Sequence, residues 1–442
     1  MQPAPLAPAD PYAAMNPESR RWWDRAGQVM PGHGQPHRRG YKYLRRGAPV
    51  FAVRAKGSRF WDADGREFID FKNSFGPILL GHADPDITAA VAAQLAEGSI
   101  LSLEHPRVVE FNERLCSLIP CAEMVMNTMG GSAATHAAVR IARHHTNRDV
   151  VLRGGYHGWF DWCLIGEPGT PPALKELAPG FAYDDPAALA AALAARPGKV
   201  AAVIMEPVMG DGPKPGYFAA VRALCDEHGA LLIIDEIKTG FRFAAGGAQE
   251  RFAIDADLAT FGKAMCNGLP GSVVVGKRKV MEGSRKLFIA ATFHGDLLSI
   301  VAAETVIRIM RERDGLGHIW RLGQRLIDGL NRIFAAHRCP LVMGGHPPMP
   351  LLSEAPLDHP TRAPAAHQRG KLPTEFCAAL QRRGIYLTPA ESFLMLAHTD
   401  ADLDQALANA DLACAEALQL VDDIAAGRVI EQPYNQDVTR DG

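Results

Sequence analysis

LLIIDEIKTGFR at 231–242 and LATFGKAMCNGLPG at 258–271 decide the architecture of this chain. Each opens on an apolar run too short for a core helix. The first run closes on Asp235; the second reaches Lys263 through Phe261-Gly262. Outward from this pair the same rhythm repeats, in VVLR at 150–153, VAAVIMEP at 200–207 and SVVVG at 272–276, with helical patterns between. Short continuous apolar strands alternating with helices predict an α/β fold whose mostly parallel sheet is covered on both faces.

The flanking sequence fits a second, smaller body. FWDADGREFIDF at 60–71 reads as a hairpin around Asp64-Gly65. Helices are predicted at 85–97, 106–118, 297–312 and around 315–337. Residues 1–20, rich in Pro and Ala, read as a draped arm, and 344–372, with many Pro and His, as loop. LPTEFCAALQRRG, IYLTP and FLMLAH predict one helix and two strands near the C-terminus. The expected division is an N-terminal arm and small-domain segment at 1–75, a large domain at 76–325 and a C-terminal small domain at 326–442. The small domain is then α+β and built from both chain ends.

Composition narrows the function. The 442 residues are 47% hydrophobic and 22% charged, with a formal net charge of −2. That is an ordinary globular enzyme, with no electrostatic reason to expect nucleic acid or an anionic membrane as partner. No run reaches the roughly 18 apolar residues of a membrane span, and the N-terminus lacks the pattern of a secretory signal. The eight cysteines form no CxxC pair, which points to free thiols in a reducing compartment, hence the cytoplasm.

The chemistry-bearing residues sit at strand ends. A lysine one strand away from an acid suits pyridoxal phosphate: the amine forms a Schiff base, and the acid keeps the ring nitrogen protonated so that the ring withdraws electrons. Lys263 is the candidate, since the turn-rich Cys266-Asn267-Gly268-Leu269-Pro270-Gly271 suits a solvated helix poorly. Lys238 is the rival, but lies only three residues past Asp235. Asp235 ends a buried strand, where a carboxylate is costly without a partner; a pyridinium N–H is one such partner, and a turn or cap is the other reading. Ile237 follows on the same side and is placed to pack on a ring face. Gly130-Gly131-Ser132 feeds a helix, either as a phosphate cradle or as a plain helix start with a serine cap. Tyr156, after the next strand, could stack on the opposite ring face or sit in the core. Glu206 ends VAAVIMEP at the sheet edge where α/β folds bind ligands. Thr292 precedes a long helix and could offer a hydroxyl to phosphate. His33 and His37 are four apart but in a Gly/Pro-rich stretch, so no metal site is expected. There is no P-loop, no GxSxG elbow and no strand-linked GxGxxG.

Together RFWDADGREFIDF, SFGPILLGHADP, GGSAATHAAVRIAR, GGYHGW, IMEPV, DEIKTGFR, FGKAMCNGLPG, TFHGDLLS and GIYLTP resemble the class III pyridoxal-phosphate-dependent aminotransferases of fold type I. Within that family the chain is similar to the glutamate-1-semialdehyde aminomutase branch, over about residues 30–418. The resemblance implies that Lys263 carries the cofactor, Asp235 binds the ring nitrogen, and Ile237 and Tyr156 sandwich the ring. It places Gly130, Gly131 and Ser132 at the phosphate, Glu206 on the ring hydroxyl side, and Thr292 at the phosphate held by the partner of a homodimer. Arg38, Ser74, Phe75 and Glu391 fall where the family contacts substrate. The substrates implied are an amino donor and a keto acceptor. Departures at Ala133, Asp296-Leu297, Ala264-Met265-Cys266-Asn267 and Ala390-Glu391-Ser392 favour a transaminase over a true aminomutase. A non-catalytic sensor on the same fold is a third reading, against which the lysine and the missing DNA-binding extension both stand.

Overall fold

The computed structural model describes residues 15–33, 47–360 and 362–429. They fall into two compact units: one gathers the chain up to Phe75, residues 81–83 and everything from Ile319, and the other holds 76–80 and 84–318.

The first unit opens with the helix Pro17–Val29, so the end of the segment read as a draped arm is helical, and continues with strands β1 (Ala52–Lys56), β2 (Arg59–Asp62) and β3 (Glu67–Asp70). β2 and β3 form the hairpin expected around Asp64-Gly65, with Phe60 opposite Phe68 and their rings stacked at 5.0 Å.

The second unit is built on a six-stranded sheet: β4 (Met124–Thr128), β5 (Val150–Gly154), β6 (Val200–Met205), β7 (Leu231–Asp235), β8 (Leu258–Phe261) and β9 (Ser272–Gly276), in the order β4-β9-β8-β7-β6-β5. β5 to β8 run parallel, and β9 is antiparallel to both neighbours. Every residue of β6 to β9 is buried. These strands therefore read as unbroken apolar runs, because helices cover both faces and no face needs polar residues. The helix Gly131–Thr146 packs Ala134, Ala138 and Ile141 into one cluster with Ile204, Ile233, Leu258 and Val274. Its alanines let the helix axis approach the sheet. Full burial of each large aliphatic side chain there contributes roughly 1.5–3 kcal/mol.

The helix Gly315–Ala336 leads back into the first unit, which adds strands β10 (Leu341–His346), β11 (Met349–Glu354) and β12 (Ile385–Tyr386). β12 joins the β1-β2-β3 sheet, parallel to β3. The helices Leu372–Gln381 and Asp400–Ala425 complete the unit, the second started by a reciprocal Thr399–Asp402 capping box. Two expectations are corrected here. Residues 344–372 are not simply loop: β10 and β11 pair antiparallel, with the prolines at 347 and 348 in their turn. Pro350 is tolerated because this ladder has only two strands. FLMLAH is not a strand. Its backbone scatters its hydrogen bonds, with Phe393 donating to Phe71, Leu394 to Pro348 and Met395 to the His398 ring, so no ladder forms.

Candidate active site

β7 ends on Asp235, and the register β6-β7-β8 decides what meets it. Thr260 lies directly across on β8 and donates its hydroxyl to Asp235 Oδ1 at 3.2 Å. The Ile237 N–H donates to the same oxygen at 3.1 Å. His157, in the segment after β5, brings Nδ1 to within 2.8 Å of Asp235 Oδ2. Asp235 is 4% exposed and His157 2%. Three donors thus surround a buried carboxylate, the condition under which burying it is tolerable. Because the carboxylate accepts, the Nδ1 atom of His157 carries the proton, and its Nε2 is buried with no hydrogen-bond partner among the described residues. Thr135 anchors the histidine by donating to its carbonyl at 2.7 Å, and Trp162 stacks on the ring.

Lys263 follows β8 with φ 44°, in the left-handed region. A lysine held there costs of order 1–3 kcal/mol, strain typical of ligand sites. The turn Lys263–Cys266 closes on Asn267, also left-handed, whose Oδ1 accepts from the N–H groups of Leu79 and Leu80 at 2.8 Å each.

Gly130 caps the helix Gly131–Thr146 without a side-chain cap bond, and the first hydrogen bonds back to its carbonyl come from Ala133 and Ala134. The N–H groups of Gly131 and Ser132 therefore precede the helical ladder, where an anion is favoured. Ser272, opening β9, fixes this start: its Oγ accepts from Gly130 N at 2.7 Å and pairs with Thr128 Oγ1 at 2.8 Å. Gly158 has φ +109°, and a Cβ there would stand 2.4 Å from Ser132 Oγ. Only glycine lets this loop lie against the cradle.

A cavity of about 210 Å³ joins these parts. Lys263, Asp235, Ile237 and Glu206 line it, facing Gly131, Ser132 and Tyr156. Ile237 is not positioned by strand alternation, since β7 has ended; it is wedged 3.1 Å from where side chains on Gly131 and Gly262 would begin. Glu206 receives the Tyr156 N–H on Oε1 at 2.8 Å and pairs through Oε2 with Lys238 at 2.5 Å. Lys238 thus lines the same cavity as Lys263, tied to a carboxylate. Burial pushes the neighbouring Cys163 thiol up to about 11, so thiolate chemistry is not available to it.

The other expected residues are placed differently. Thr292 is exposed and does not line this cavity among the described residues. Ser74 and Phe75 belong to the first unit, where they line a separate cavity with Lys72 and His82. Glu391 is also there, bridged to Leu351 on β11. Arg38 lies outside the described residues. His157, Thr260, Thr135 and Ser272 were missed by sequence reasoning. Their signal was a polar residue at the start or end of an apolar strand, or beside an already suspected glycine, which sequence alone does not separate from an ordinary turn.

These residues fit pyridoxal phosphate: a helix start open to a phosphate, a buried acid for a ring N–H, an apolar wall at Ile237 and a lysine held at the cavity. The comparisons agree. The pattern of the family Aminotransferase class-III matches residues 43–408. The chain is 35% identical over 390 residues to the 3-aminobutyryl-CoA aminotransferase of Cloacimonas acidaminovorans, covering 86% of this chain and 92% of that one. It is 36% identical over 446 residues to the glutamate-1-semialdehyde 2,1-aminomutase of Sorangium cellulosum, covering 94% and 98%. Its fold is similar to that of the FumI protein of Sphingopyxis sp., solved in its PLP internal aldimine form, with a TM-score of 0.86 at 29% identity, covering 92% of this chain and 98% of that one. The chain is a member of the class III aminotransferases, enzymes of fold type I, and its cofactor is pyridoxal phosphate.

Proposed function

We propose that this aminotransferase works between two separate substrates, a free amino donor and a keto acid, keto sugar or carbocyclic ketone as acceptor, in a biosynthetic role. The observation that carries the reading is that Lys263 and Asp235 line one cavity with the open helix start at Gly131 and Ser132. When bound there, pyridoxal phosphate supplies an aldehyde for amine capture and a ring that withdraws electrons. Gly130, Gly131 and Ser132 would hold its phosphate, and Tyr156 and Ile237 its two ring faces. Asp235 would keep the ring nitrogen protonated, with Glu206 on the hydroxyl side. Lys263 would carry the cofactor at rest. Its amine, once freed by an incoming donor, would take the proton from the donor's amine-bearing carbon and return it one atom away. Water would then release the keto product, and the acceptor would run the same proton transfers in reverse.

The name of the Sorangium relative favours a second reading, in which one substrate keeps its amine and has it moved internally. Kinetics separate the two. Parallel double-reciprocal lines with a separate donor and acceptor support transamination; turnover of glutamate 1-semialdehyde alone, with no second substrate, would overturn it. The name of the Cloacimonas relative places a 3-amino acyl thioester among the donors to try. The cofactor assignment has its own check. Lys263→Ala is expected to lose the covalent chromophore and essentially all turnover, while Lys238→Ala keeps the chromophore. Cofactor still reducible onto the chain in Lys263→Ala would reject Lys263 as the carrier.

The wider reading is a homodimer in which Thr292 of one protomer completes its partner's site. Exposed Leu103, Trp159, Phe288 and Phe293 support an apolar interface in the same unit.

A further inference from the structure

We propose that Ser272 is a positioning residue that sets how tightly the protein holds the phosphate of its cofactor, acting through Gly130 and steadied by Thr128. The inference rests on the reading that Gly130, Gly131 and Ser132 receive the phosphate, and deepens it. The helix start there is built on the residue type least able to hold itself. Gly130 has φ 106° and ψ 149°, supplies no side-chain cap, and would meet nothing within 4 Å if it carried a Cβ. No side chain of its own selects that conformation, and a glycine loses more freedom than any other residue on being fixed.

What fixes Gly130 comes from outside it. Its carbonyl accepts from the N–H groups of Ala133 and Ala134, both at 3.1 Å, and its own N–H donates to Ser272 Oγ at 2.7 Å. The two peptide planes that meet at Gly130 are thus pinned one each, and the second of them carries the Gly131 N–H. Ser272 is 2% exposed and Thr128 4%. The two face each other in the antiparallel register of β4 and β9, and their hydroxyls meet at 2.8 Å. Thr128 is β-branched and stiff about χ1, so it holds the serine oxygen toward Gly130. The same serine reaches the other arm of the cavity: its Cβ lies 3.3 Å from where a side chain on Gly262 would begin, one residue before Lys263. One buried residue therefore bonds the backbone leading to the helix start and packs on the backbone leading to the lysine. Among the described residues Ser272 does not itself line the Lys263 cavity, whereas Gly131 and Ser132 do. It acts on the phosphate only through the backbone it holds, and loss of its hydroxyl frees Gly130 to turn the Gly131 N–H out of line.

The test is equilibrium dialysis of the full-length protein against pyridoxal phosphate and against pyridoxal, which has the same ring and aldehyde but no phosphate. The ratio of the two dissociation constants reads the phosphate contact alone. In Ser272→Ala the preference for the phosphorylated form is expected to shrink roughly tenfold, with pyridoxal itself bound within about twofold of wild type. Thr128→Val is expected to shrink it about threefold, and Thr128→Ser, which keeps the hydroxyl, to preserve it. An unchanged preference in Ser272→Ala would overturn the proposal. Equal weakening of both ligands would do so too, since it would make Ser272 a general packing residue. Should Ser272→Ala fail to fold, Thr128→Val decides: a reduced preference supports the proposal and an unchanged one rejects it. A wild type that binds the two ligands equally would instead refute the phosphate reading of Gly131 and Ser132, and the role of Ser272 would fall with it.

Discussion

Three groups from three segments donate to the Asp235 carboxylate, and His157 is the one that meets its Oδ2. In the role proposed for Asp235, Asp235→Asn retains the shape but cannot hold a proton on a ring nitrogen. It is expected to fold and bind cofactor while turning over about 10²–10⁴-fold more slowly; a near-wild-type rate would make the aspartate merely structural. His157 acts through Asp235, as a positioning residue. His157→Phe is expected to lower kcat about 10–100-fold. Removing a donor raises the carboxylate's affinity for protons, so the acid limb of the kcat profile should move to higher pH. His157→Gln, which can still donate, should restore much of the loss. A lower rate with an unmoved profile would reduce His157 to a packing role.

At the scale of elements, the turn that presents Lys263 is held from behind. Asn267 receives two buried N–H groups from Leu79 and Leu80, and the buried Arg242 donates to the carbonyls of Gly76 and Ile78. Residues 76–80 are thereby bound into the second unit, although their chain neighbours on both sides belong to the first. Burial holds the Arg242 guanidinium down to about 9, and those carbonyls are among the groups that compensate it. Asn267→Ala strands two donors and places alanine at φ 45°; it is expected to destabilise the fold by about 2–5 kcal/mol, read by urea denaturation. Glu236, next to Asp235 but turned to the far side of the strand, caps the helix Ala248–Phe252 through the N–H groups of Ala248 and Gln249. Burial raises its carboxyl to about 7. The folded state therefore holds this proton more tightly than the unfolded chain does. The stability linked to it is complete below the ordinary glutamate range and lost as pH rises towards about 7. Melting temperatures of wild type and Glu236→Gln should differ progressively across that window, with the wild type losing ground as pH rises. A constant difference would mean Glu236 does not titrate there.

For the whole molecule the open matter is assembly. Thr292 is exposed on its own protomer and does not line that protomer's Lys263 cavity among the described residues. In a shared-site dimer, mixing Lys263→Ala chains with Thr292→Ala chains makes one site with both defects and one with neither. Activity is then expected to recover to roughly half the wild-type level per heterodimer, assuming independent sites. No recovery on mixing, or a fully active monomer by light scattering, would remove Thr292 from the site.

The sequence alone determined the sheet, the strand ends and the two ionisable residues on them. Strands buried on both faces must be continuous apolar runs, so VAAVIMEP, LLIIDE and LATFG announce themselves without any partner, and a charge at the end of such a run is visible as an exception. The glycines at the helix start were legible for the same local reason. Fragments whose hydrogen bonds go to scattered neighbours were not legible: FLMLAH looks like a strand and is none, while β10 and β11 hide behind their prolines. Nor was the support of the site. His157 meets Asp235 across 78 positions of sequence, and only the parallel register of β5, β6 and β7 brings them together. The same holds for Lys238 on Glu206 and for Ser272 beneath Gly130. Local pattern reports what a segment buries; which side chain it meets is decided by pairing between distant strands, and that is a property of the tertiary structure.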